Sequence, residues 1–176
     1  MSTSPTHVPA LHGWTAFIGV PWLAAPAGSV LMALAAHVAV PFWPVPLTLQ
    51  SLVALGLGAA LGPVAAASAI CAWIVAGLVG LPVFAAGAGP AVLLGPTGGY
   101  ILGFLPAVMI AGFAARRGWF AAAWTAALAF AAADVVLFAA GVAWLAVLVG
   151  WRKAIADGLT PFLLGEAIKI GLATVA

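Results

Sequence analysis

Apolar runs follow one another along this chain with almost no charge between them, and what separates them is proline and glycine. The runs do not alternate apolar with polar positions, as residues 121–133 (AAAWTAALAFAAA) illustrate, so neither half-buried strands nor a β-barrel is indicated. At roughly 20 residues per crossing, the length accommodates about six helical spans. The first is expected over residues 24–40, ending at PFWPVP, where three prolines in close succession forbid a continued helix. The second covers 49–61 and turns at Gly62-Pro63; the third covers 64–78. The fourth starts in GPTGGY and runs to residue 115 with a small residue at every fourth position: Gly99, Gly103, Ala107, Ala111 and Ala115. That stripe lets a neighbouring helix approach closely. The fifth, 119–148, is too long for one straight crossing and is expected to tilt or to break at Gly141 or Gly150. The sixth begins near Pro161, a favourable first helical residue, and reaches Ala176.

The connections complete the expected plan. Residues 80–96 form an apolar loop without charge or side-chain amide, which suits a segment folded back over the helix ends as a re-entrant piece or lid. Residues 151–160 read as an exposed polar connection, and 14–23 as an interfacial segment anchored by Trp14 and Trp22. The predicted organisation is a leader and interfacial segment over 1–23, then one six-helix transmembrane domain over 24–176.

Composition narrows the class to an all-α integral membrane protein. Hydrophobic residues make up 66% of the chain and charged residues 5%, with a mean hydropathy of +1.29, which no ordinary soluble domain of this size tolerates. No basic patch interleaved with aromatics is present, so nucleic acid is not an expected partner. Cys71 lies in an apolar run and has no second cysteine to pair with. His7 and His12 fall in the polar leader and read as solvated, and His37 reads as a hydrogen-bonded packing residue; no metal ligand set is expected. HExxH, GxSxG and the Lys-Ser/Thr ending of a phosphate loop are all missing, and no catalytic set emerges.

The few polar positions then carry the functional reading. Glu166 and Lys169 lie three residues apart inside an apolar run, hence on one helical face. Charges in a span usually face a partner, a cavity or a substrate. Because connections alternate sides, Thr48, Gln50, Thr97, Tyr100 and Glu166 are all expected at one end of the bundle, converging on a single cavity between helices beneath the apolar loop. In GPTGGY, the exposed amides at Thr97, Gly98 and Gly99 offer either an anion site or a tight turn. Gln50 reads first as a capping or cross-helix group and second as a ligand contact. Asp134, alone in the fifth span, reads as paired with a base or backbone group, with proton relay as the other role. Arg116-Arg117 and Arg152-Lys153 argue for opposite membrane orientations.

PVPLTLQ at 44–50, GLPVFA at 80–85, LLGPTGGYILGF at 93–104 and an acid-xx-Lys near the end form an ordered set over about residues 28 to 172. This set resembles the BioY family, the biotin-specific S-components of energy-coupling-factor (ECF) transporters. The resemblance implies a six-helix S-component fold, a multi-pass location in the bacterial inner membrane, and a lipid bilayer, a transmembrane T-component and ABC-type ATPase subunits as partners. It implies biotin as the bound ligand, no cofactor and no enzymatic activity. Implied site residues are Thr48, Gln50, Phe84, Thr97, Gly98, Gly99, Tyr100, Glu166 and Lys169, with Ala35 and Ala39 as the docking pair on the first span. Glu166 would accept from a ureido N–H and Lys169 would donate to the ureido oxygen. Phe84 and Tyr100 would cover the ring system, and the amides of Gly98 and Gly99, or solvent, would meet the carboxylate. The family usually carries Asp where this chain has Glu166. The competing reading is a proton-coupled small-solute carrier or an intramembrane enzyme using Asp134, Glu166 and Lys169.

Overall fold

The computed structural model describes residues 21–175. Among the described residues eight α-helices follow the expected apolar runs and their connections: α1 (Pro21–His37), α2 (Gln50–Leu61), α3 (Pro63–Leu78), α4 (Pro90–Leu94), α5 (Gly98–Arg116), α6 (Ala123–Val149), α7 (Trp151–Gly158) and α8 (Leu163–Val175). Six of them form the bundle, and α4 and α7 lie in connections. The expected leader, with His7, His12 and Trp14, lies outside the described residues. Pro21 to Leu23, expected in an interfacial segment, instead form the first turn of α1.

Proline and glycine set the ends. After α1 the Pro-rich stretch is closed by a small antiparallel clip, β1 (Ala39–Val40) against β2 (Leu47–Thr48), pairing Ala39 with Thr48 and Val40 with Leu47. Gly62, at φ +77°, makes the corner that an L side chain resists, and Pro63 starts α3 in the first-turn position that needs no amide donor. α6 runs unbroken for 27 residues and stops at Gly150, φ +84°. Of the two expected interruptions only Gly150 is real. Gly141 is continuous helix, and a Cβ there would sit 2.2 Å from the Tyr100 ring. Before α6, Trp119–Ala121 form a single 3-10 turn rather than the start of the span. Another correction concerns residues 151–160. They fold as α7, whose Ala154 and Gly158, one turn apart, are buried while Arg152 and Lys153 stay exposed. The polar residues of the run read as loop, although Trp151, Ala154, Ile155 and Gly158 recur at helical spacing.

The bundle is held by close backbone approach. α5 is central, with Gly99, Gly103, Ala107 and Ala111 all buried. A Cβ at Gly99 would meet the Ala140 carbonyl at 2.6 Å, and one at Gly103 the Leu137 carbonyl at 2.9 Å, both on α6. On the opposite side, Gly58 of α2 faces the Val108 carbonyl and Gly112 of α5 faces the Gly62-Pro63 corner. Met32, Ile70, Trp73, Val108 and Leu145 fill the interior. Outside, large apolar side chains such as Val64, Val75, Val135, Val147 and Leu164 stand 57% or more exposed, the distribution expected of a surface solvated by lipid. α5 and α6 are long and apolar enough to cross a membrane, at 19 and 27 residues.

Two glycines on one helix separate packing from propensity. Gly56 has open space where a Cβ would go, whereas a Cβ at Gly58 would lie 2.6 Å from the Val108 carbonyl and 2.8 Å from Ala111 Cβ. Gly56→Ala is expected to raise the thermal unfolding midpoint in detergent slightly, a gain of up to about 1 kcal/mol. Gly58→Ala is expected to lower it by a cost of about 1–3 kcal/mol. Equal shifts for the two variants would contradict this packing.

Candidate functional site

The sequence turns sharply at both ends of the 79–97 connection, and indole groups hold it down. Trp73 Nε1 donates to the Val83 carbonyl at 2.9 Å, and Trp144 Nε1 donates to the Gly95 carbonyl at 2.9 Å. Between these two fixings the chain drives Phe84 inward to 3% exposure, edge-on to Trp73 with ring centroids 5.0 Å apart. Gly77 leaves the room for that ring. The apolar loop thus folds back over the helix ends, as expected, and carries α4 within it.

Beneath it lies a cavity of about 60 Å³, room for a few waters. The clip contributes Val45, Pro46 and Thr48; the loop contributes Phe84, Ala85 and Ala86. Trp73, Phe104, Leu137, Phe138 and Phe162 give the wall its apolar aromatic character. Polar groups enter from Thr48, Gln50, Ser51, Thr97, Tyr100 and Glu166. The expected convergence at one end of the bundle is therefore what the fold produces.

On one wall three side chains close a ring. Ser51 Oγ donates to Glu166 Oε2 at 2.7 Å, Lys169 Nζ donates to Glu166 Oε1 at 2.7 Å, and Lys169 Nζ also donates to Ser51 Oγ at 2.9 Å. The third ammonium proton goes to the Thr48 backbone carbonyl at 2.6 Å. An ammonium has three donors, so Lys169 is saturated. Glu166 and Ser51 face the cavity, while Lys169 stands behind them. The ring works because α8 places Glu166 and Lys169 one turn apart, and α2 begins just after β2, putting Ser51 within reach of both. Charge-assisted bonds of this length are strong where water is scarce. A ligand N–H can take over the Ser51 position on Glu166 Oε2 while Lys169 keeps its bond to Oε1.

The other expected residues fall into place unequally. Thr48 Oγ1 donates to Gln50 Oε1 at 3.3 Å, and Gln50 Nε2 donates to the Met32 carbonyl of α1 at 3.5 Å. Gln50 thus links α1 to α2 while lining the cavity. Tyr100 covers one wall, and its hydroxyl donates to the Gly158 carbonyl of α7 at 2.8 Å. Gly98 and Gly99 are not brought to the cavity. A Cβ at Gly98 would sit 1.9 Å from the Leu93 carbonyl, its amide donates to the Gly95 carbonyl, and Gly99 is packed on α6. The expected docking pair does not form one surface either: Ala35 is buried at 4% exposure, and Ala39 lies past the end of α1, in β1. Ser51, Phe138 and Phe162 are site residues that the sequence reading missed. Ser51 sits next to Gln50 at the start of an apolar span, a signal that the spacing to Thr48 reinforces. The two phenylalanines are indistinguishable from lipid-facing aromatics until the helices are assembled.

Asp134 was expected to pair with a base or a backbone group. It is buried at 5% exposure, and neither carboxyl oxygen receives a hydrogen bond from any described group. Its charged neighbours are Glu166 and Lys169. Among the described residues no group of three or more His, Cys, Asp or Glu side chains assembles into a metal site.

The family model for the BioY family matches residues 20–176. A probable biotin transporter BioY from Pyrococcus horikoshii is 35% identical over 146 residues, covering 82% of this chain and 86% of its own length. The biotin transporter BioY of Thermotoga maritima is 34% identical over 153 residues, covering 84% and 87% respectively. In architecture the chain is similar to a crystal structure of the S-component for biotin from an ECF-type ABC transporter. The TM-score is 0.73 at 22% identity, covering 94% of this chain and 91% of that one. With its helices arranged as in an S-component and a family match along nearly its whole length, this membrane protein belongs to the BioY family.

Proposed function

We propose that this chain is the biotin-binding S-component of an ECF-type uptake transporter in the bacterial cell membrane. The observation that carries the reading is the Ser51–Glu166–Lys169 ring on the wall of an otherwise apolar, aromatic cavity, in a chain whose relatives are biotin transporters. Biotin has a neutral ureido group with two N–H donors and one carbonyl acceptor, an apolar thioether ring, and a carboxylate tail. Glu166 accepts from a ureido N–H in the place held by Ser51. As Ser51 is displaced, Lys169 gives up its bond to the Ser51 hydroxyl and turns that proton toward the ureido oxygen, keeping its bonds to Glu166 and the Thr48 carbonyl. Thr48, Gln50 and Thr97 supply further polar contacts, and Phe84, Tyr100 and Phe138 enclose the rings. The cavity is smaller than the vitamin, so the 84–86 segment yields outward on binding and closes afterwards. Gly98 and Gly99, spent on α4 and α6, are poor candidates for the carboxylate, which solvent at the rim meets instead.

The chain carries no nucleotide-binding motif, so the energy for transport comes from partners: a transmembrane T-component and ABC-type ATPases. The surface available to the T-component is the outward face of α1, where Ala27, Val30, Leu31 and Leu34 are exposed, rather than Ala35 and Ala39. The presence of Asp134 beside the ion pair keeps one rival reading, a proton-coupled carrier, and uptake without partners separates the two.

In equilibrium titrations of purified protein, Lys169→Ala and Glu166→Gln are each expected to weaken biotin binding about ten- to a hundredfold, the value of a hydrogen bond to a charged group. Unchanged affinity in both variants would remove the assignment. The wild type is expected to prefer biotin over desthiobiotin, thiamine and riboflavin. Proteoliposomes holding this chain alone are expected to bind biotin without accumulating it. Accumulation driven by a pH gradient would instead establish the proton-coupled carrier.

A further inference from the structure

Asp134 lies on the same face of α6 as Leu137 and Phe138, three and four residues on, and both of those line the cavity. It therefore sits one turn below the cavity floor, on a helix that packs against α8, with Glu166 and Lys169 as its charged neighbours. Its own oxygens receive no donor, and each is shut off from solvent. The lysine that would neutralise it is committed to Thr48, Ser51 and Glu166. Two carboxylates and one ammonium in a dry space leave an uncompensated negative charge, which is costly. Two carboxylates also cannot hydrogen-bond to each other, because each only accepts; one proton makes the contact a bond.

We infer that Asp134 is held as the neutral acid and donates its proton in a hydrogen bond to Glu166, orienting that carboxylate toward the cavity. The cluster is then electrically neutral: one acid, one carboxylate, one ammonium. Asp134 is a positioning residue, acting on the ligand through Glu166. Among the described residues no other charged group competes for it. α2, which packs against α6, has no ionisable side chain along its length. On α5 the ionisable groups are Tyr100, bonded to Gly158, and Arg116, at the far end beside Gly62. On α7, Arg152 and Lys153 are exposed and Asp157 is half-buried, and none of them is a charged neighbour of Asp134. A neutral floor suits a neutral polar head such as a urea, since a second carboxylate would draw in a cation.

Infrared difference spectroscopy of the ligand-free protein tests this without reference to the vitamin. The wild type at neutral pH is expected to show the carbonyl stretch of one protonated carboxylic acid, and Asp134→Asn is expected to abolish it. Absence of the band in the wild type, or its persistence in Asp134→Asn, overturns the inference. A second arm rests on the biotin reading. Asp134→Leu, which removes the donor, is expected to weaken biotin about ten- to a hundredfold, and Asp134→Asn, which restores a donor of the same shape, to recover most of that loss. A folded Asp134→Leu that binds biotin as the wild type does overturns the positioning role. Failure of biotin to bind the wild type leaves the infrared result standing and sinks only the choice of ligand.

Discussion

The ion pair between Glu166 and Lys169 determines how the rest of the site is built. Inside a membrane protein a charge survives only with compensation close at hand. Here each partner supplies part of it, and Ser51 and the Thr48 carbonyl complete it. Those two groups come from the β1–β2 clip and the start of α2, far away in sequence. The pair therefore fastens the last helix to the second, and it makes the Pro-rich connection part of the site rather than a tether.

That fastening needs helices that meet at short range, and the glycine and alanine positions of α5 provide it. Gly99 and Gly103 bring α6 so near that its carbonyls occupy the space of a side chain, while Gly58 and Gly112 do the same for α2 and the α2–α3 corner. With water absent from the exterior, apolar burial alone does not drive helices together in lipid, and close van der Waals contact must do more of the work. Leu137 and Phe138 of α6 reach the cavity because α6 lies so close to α5. The glycine contacts and the binding wall are thus one arrangement.

The 79–97 loop shows how an uncharged connection is held in place. It has no ion pair to anchor it, yet two indole N–H groups bind its backbone carbonyls and Phe84 is plugged between Gly77 and Trp73. Bonds from the loop to the helices fall on Val83, Gly89 and Gly95, and the cavity contacts, at residues 84 to 86, lie between the first two. The Phe84 carbonyl bonds only within the loop, to the Gly87 amide, and the Phe84 ring is held by apolar contact, which suits a cover that opens for a ligand.

The sequence alone determined the class, the six apolar spans and most of the convergence, because lipid demands long uninterrupted apolar segments and concentrates the few polar residues where they act. Periodicity placed Glu166 and Lys169 on one face, and the order of connections put Thr48, Gln50, Thr97 and Tyr100 at the same end. Side-chain meetings between distant segments were not legible. Ser51 closing the ring, Phe162 and Phe138 forming the wall, Ala35 turning inward and Asp134 coming to lie near Glu166 and Lys169 all depend on how helices rotate about their own axes. In a chain this uniformly apolar, hydropathy marks no inner and outer face, so rotation is decided only by shape: where glycine permits contact and where an aromatic ring fills the gap. α7 is a different case: Trp151, Ala154, Ile155 and Gly158 recur at helical spacing, and only its seating on α6 through Ala154 and Gly158 needed the tertiary structure.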